Sequence, residues 1–184
     1  MKIRRTMTTM VTAGTLVVAT LGMAPAAHAV QVIDATIGTS VSLDASSAAN
    51  VGSWTLATTG ANTQSGGSVS VNSNSPYTLS VTFDKTRMSE WDTNTSPAAY
   101  VSSGKTLAAP LTVTVSRTSG TAGTPTLSAG AVSGTSTLLS TGLGLGSDNY
   151  AVSLSQPTTI ADSALASGRT YHIVLTYTAS STLG

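Results

Sequence analysis

Charged side chains make up only 8% of this 184-residue chain. Their densest run is Asp84, Lys85, Arg87, Glu90 and Asp92, with Trp91 between two acids and Tyr100 a little further on. Paired carboxylates can perform acid–base work on a glycosidic bond, and the oxygens of Asp92 and Asn94 could face calcium. The run lacks the glycine and the closing glutamate of a calcium loop, and charges that alternate in sign along a loop are ordinarily solvated. No catalysis, metal or cofactor is therefore expected. Aromatic rings flanked by acids suit a sugar better, so Trp91, Tyr100, Glu90 and Asp92 form the candidate binding set, with a polysaccharide as the ligand class. A tryptophan that folds back to cap a core is the competing reading of Trp91.

His172 is the only histidine after His28, so any serine–histidine–aspartate arrangement downstream would have to use it. It lies in an alternating stretch opposite Tyr171 and Ile173, and no Gly-x-Ser-x-Gly elbow accompanies it. The chain has no cysteine, which removes thiol nucleophiles, thiolate metal sites and disulfides.

The elements that must position these residues read as strands. Ile33, Ala35, Ile37, Val41 and Leu43 alternate with polar residues, and Trp54 with Leu56 starts a second candidate in which Trp54 is core. Val69 and Val71 lead through Asn72-Ser73-Asn74-Ser75-Pro76 into Tyr77, Leu79, Val81 and Phe83, a pattern that predicts a hairpin. Leu111, Val113 and Val115, then Tyr150, Val152 and Leu154, continue the period of two. Tyr171, Ile173, Leu175 and Tyr177 close the series as one strand. Positions 84–110 and 118–148 do not alternate, and connections of that length imply hidden short strands or binding loops. No helical period persists, so the expected fold is all-β: an antiparallel β-sandwich, immunoglobulin-like or jelly-roll-like.

At the N-terminus Lys2, Arg4 and Arg5 precede an apolar run from Val11 to Met23 and the tripeptide Ala27-His28-Ala29. This reads as a signal peptide over residues 1–29, leaving one domain over residues 30–184, secreted and without a membrane span after cleavage. Lys85, Arg87, Lys105, Arg117 and Arg169 then stand against seven acids. Five dispersed cations make no basic stripe, which argues against nucleic acid as a partner.

The stretch Leu165-Ala166-Ser167-Gly168-Arg169-Thr170-Tyr171 resembles the corner of immunoglobulin-like sandwiches, where a tyrosine hydroxyl bonds back to the turn. It marks Leu165, Gly168 and Tyr171 as a structural corner. A last strand after Gly168-x-x-Tyr171 looks like bacterial surface and pilin-like sandwiches of the spore-coat-U and WxL types, and Trp54-Thr55-Leu56 matches the WxL triplet. The second Trp-x-Leu of that family is absent, since the equivalent place reads Thr176-Tyr177-Thr178. The resemblance implies a secreted, wall- or surface-associated structural module. The leading expectation is a noncatalytic surface or extracellular-matrix structural or interaction protein, self-associating through edge strands at Val30–Leu43 or Tyr171–Thr178. The alternative is a carbohydrate-binding module using the aromatic residues of positions 84–110. A glycan or ester hydrolase built on Asp84, Glu90 and Asp92 ranks third.

Overall fold

Alternation in sequence becomes alternation in burial in a computed structural model that describes residues 37–48, 51, 53–120 and 123–183. The predicted signal peptide, and the strand positions Ile33 and Ala35, lie outside these residues. The strands are β1 (Val41–Asp44), β2 (Gly60–Ser73), β3 (Tyr77–Phe83), β4 (Ser89–Asp92), β5 (Ala99–Tyr100) and β6 (Thr112–Gly120). They continue with β7 (Thr126–Leu127), β8 (Ala131–Val132), β9 (Leu138–Gly142), β10 (Gly146–Thr158), β11 (Arg169–His172) and β12 (Leu175–Ser181).

A five-stranded sheet has the order β1-β2-β10-β6-β8, a four-stranded sheet β12-β3-β9-β7, and a small sheet β11-β4-β5. The ladders are antiparallel. The first two sheets share one core. Val69, Val71, Val113 and Val152 come from the first, and Leu79, Val81 and Leu139 from the second. Each such side chain, fully buried, contributes roughly 1.5–3 kcal/mol. The fold is therefore an all-β, antiparallel sandwich.

Two tyrosines make the core partly polar. The Tyr77 hydroxyl donates to Asp148 Oδ2 at 2.7 Å and lies 2.6 Å from the Tyr150 hydroxyl. Arg117 Nε approaches Asp148 Oδ1 at 3.1 Å, an ion pair without hydrogen-bond alignment. Gly142 lies against the Tyr77 ring, where a Cβ would overlap the ring carbons.

Several sequence expectations are corrected. β2 and β3 do not form a hairpin: they belong to different sheets, and Asn74–Pro76 is an arch between them. The reason is that Val69 and Val71 face Tyr77, Leu79 and Val81 across the core rather than lying beside them. Trp54 and Leu56 form no strand, because side chains replace the ladder there: Asn62 Oδ1 accepts from the Ala57 amide and Thr158 Oγ1 donates to the Ala57 carbonyl. Among the described residues the first strand begins at Val41, and the residues before it are held instead by Asn74, which accepts from the Ser40 amide and donates to the Gly38 carbonyl. The last predicted strand is divided between β11 and β12, which pair with β4 and β3 respectively. Short strands do occupy the non-alternating stretches: β4 and β5 in 84–110, and β7, β8 and β9 in 118–148.

Candidate functional site

The small sheet sits where β3 ends and β12 begins, and its two faces separate the four candidate residues. In register, Thr170 opposes Trp91, Tyr171 opposes Glu90, and Trp91 opposes Tyr100. Successive side chains of a strand point to opposite faces, so Trp91 and Tyr100 share one face while Glu90 and Asp92 lie on the other.

On the aromatic face, Trp91 stacks on His172 with ring centroids 4.5 Å apart and meets Tyr100 edge-on at 4.8 Å. Lys85 Nζ stands 4.5 Å above the Tyr100 ring. The Tyr100 hydroxyl donates to Asp84 Oδ2 at 2.6 Å, while Asp84 Oδ1 accepts from the Val174 amide at 2.7 Å. Burial, and then the Asp84 carboxylate, raises the Tyr100 phenol above its ordinary range. Trp91 and Tyr100 are both half-buried, and one face of the indole is taken by His172.

On the opposite face, Glu90 is buried. It accepts from the Lys105 amide at 2.8 Å and from Arg169 Nη1 at 2.6 Å, and Arg169 Nη2 stands 3.4 Å from Asp92. The Lys105 amide, and then Arg169, holds the Glu90 carboxyl below its ordinary pKa. Both acids are thus engaged in tying β4 to β11. The role of Arg169 was missed from sequence, because its two acidic partners become neighbours only once the β4–β11 register is known.

The corner residues lie next to this sheet. The Tyr171 hydroxyl donates to the Ser163 carbonyl at 2.8 Å, and the Gly168 carbonyl accepts from both the amide and the hydroxyl of Thr93. Leu165 lines a cavity of about 1120 Å³ that opens between the two main sheets at this end of the sandwich. Its apolar wall includes Trp54, Leu56, Leu111, Leu154, Ile173 and Leu175. Of the charged residues along it, Arg169 is paired as described, and Asp162 accepts from the Thr159 and Ala108 amides, which lower its pKa. Tyr177 also lines the cavity, and burial pushes its phenol up to about 12. From sequence Trp54 was assigned to the core; it packs half-buried against the core and also faces this cavity.

Among the described residues no helix is long and apolar enough to cross a membrane. Comparison of the chain with family models, with curated proteins and with solved structures finds no match.

Proposed function

We propose that this is a noncatalytic, exported protein that works by association, as a structural or interaction subunit of a surface or extracellular matrix. The observation that carries this reading is the side of the sandwich between β1 and β12. Among the described residues each is the outer strand of its sheet, and the apolar cavity opens beside them. An unpaired strand edge next to uncovered apolar surface is a feature of chains that add to other chains. The N-terminal leader pattern supports export. The engagement of Glu90 and Asp92 by Arg169 speaks against acid–base work by the residues that would have to perform it.

Light scattering of the purified protein across a concentration series tests the proposal. Mass that grows with concentration is the expected result, and a monomer at every concentration would refute it. The carbohydrate-binding reading keeps the half-buried Trp91–Tyr100 pair as its one support, and it predicts that Trp91→Ala lowers polysaccharide retention without lowering stability.

A further inference from the structure

The two ends of the sandwich are opposite in relief: one carries exposed aliphatic side chains, and the other a cavity with an apolar wall. Around the arch Asn74–Pro76, four aliphatic side chains stand in solvent: Ile37 is 91% exposed, Leu145 72%, Leu143 59% and Leu183 54%. Their positions follow from the topology. Gly38 and Ser40 bond to Asn74, the Thr182 amide donates to the Pro76 carbonyl, and Leu143 and Leu145 lie in the link between β9 and β10.

That link is built to project outward. Gly144 has φ of 77° and is pressed against the Ser75 carbonyl, where a Cβ would overlap it. Leu145 follows with φ of 69°, the left-handed region that disfavours side chains. Holding a leucine there, mostly exposed, costs energy on both counts. Among the described residues, the charged groups nearest this end are Arg117 and Asp148, which pair with each other, and Asp44, which accepts from the Ser46 amide. Leu143 and Leu145 thus present uncharged, apolar side chains beside the serines and asparagines of the arch.

The cavity lies at the other end, where β3 and β10 finish. It has an apolar wall, and the charged groups along it are engaged within the chain. It therefore suits a neutral, apolar insert, and the Leu143–Leu145 link of the same chain is one. We propose that the tip carrying Leu143 and Leu145 docks into the cavity bounded by Trp54, Leu56 and Leu175 of a second copy, head to tail. The two contact surfaces differ and lie at opposite ends, so the contact is heterologous and repeats into open chains rather than closing on a dimer. This rests on the association reading and specifies its route.

The test uses two singly blocked variants, Leu145→Asp at the tip and Leu56→Asp at the cavity, with circular dichroism to verify folding. If Leu56→Asp does not fold, Ala164→Trp, exposed at the cavity rim, takes its place. Each variant alone should remain monomeric where the unaltered protein grows. An equimolar mixture should rise to twice the monomer mass and stop, because one intact tip then meets one intact cavity. Blocked variants that assemble like the unaltered protein overturn the proposal and leave association through the β1 or β12 edge. A folded mixture that stays monomeric overturns head-to-tail docking alone. An unaltered protein that never associates overturns both readings. Saturable binding of the neutral probe N-phenyl-1-naphthylamine, with assembly unaffected by Leu56→Asp, would assign the cavity to a small apolar molecule instead.

Discussion

Tyr77 and Tyr150, on strands from opposite sheets, meet hydroxyl to hydroxyl at 2.6 Å in the middle of the sandwich. Because Tyr77 gives its proton to Asp148, Tyr150 must donate to Tyr77. Tyr77→Phe then leaves a buried carboxylate oxygen without its donor, at a cost of about 1–3 kcal/mol, whereas Tyr150→Phe removes the bond to the Tyr77 hydroxyl and a long contact from Ser140, which keeps the Thr126 carbonyl as acceptor, and costs about 0.5–1.5 kcal/mol. Denaturant midpoints of the two variants check the order, and a larger loss in Tyr150→Phe would reverse the assigned direction of donation.

Trp91→Ala should lower stability by about 1–2 kcal/mol, less than the 3–5 kcal/mol typical of a fully buried aromatic, because the indole is half-buried between His172 and Tyr100. Retention on polysaccharide columns should be unchanged. A variant that keeps its melting temperature and loses retention would restore the indole as a sugar platform.

Alkaline solution should destabilise the domain. The unfolded chain releases the Tyr177 proton near 10.0, while the folded chain holds it to about 12. The contribution is complete below pH 10 and disappears as pH climbs between these values. Tyr77, Tyr100 and Tyr171 are shifted in the same direction. Urea midpoints measured across this range should fall, and Tyr177→Phe should make the fall shallower.

Acid should act through Glu90. Its carboxyl titrates below the ordinary 4.5 in the folded chain, so its contribution is present above that value and is lost as pH drops through the folded pKa. Arg169→Gln should flatten this acid limb. Hydrogen exchange at the Lys105 and Thr93 amides, which bond to Glu90 and Gly168, should also quicken in that variant. Unchanged exchange would mean that Arg169 does not tie β11 to β4.

The fold class was legible because buried strands with one inward face carry a period of two, as in Leu79–Val81 and Val113–Val115. Partnership between strands was not. The run from Val69 to Phe83 looks the same whether the chain turns back beside itself or arches across the core, since both place the same residues inward. The first half of β2 was invisible for another reason. A register shift opposite Ala151 and Ser153 falls at Gly66–Gly67, so Asn62 and Gln64 are the more covered positions before it while Val69 and Val71 are buried after it. No single alternation runs through the strand. At the candidate site, sequence named Trp91, Tyr100, Glu90 and Asp92 together because they are neighbours in the chain. The pleat of β4 separates them, and it brings in His172 and Arg169 from some eighty positions away, which only a known register could reveal.

The long ladder joining β2 and β10, from Gly60–Thr158 to Ser73–Gly146, has a mechanical consequence. Tension applied from the tip to the cavity runs along these strands and loads many hydrogen bonds at once, in shear. Tension applied at Ile37 and Leu183 acts at one end only. There it would peel β1 from β2 and β12 from β3 one bond at a time. Built this way, the domain resists pulling along β2 and β10 and yields to pulling at Ile37 and Leu183.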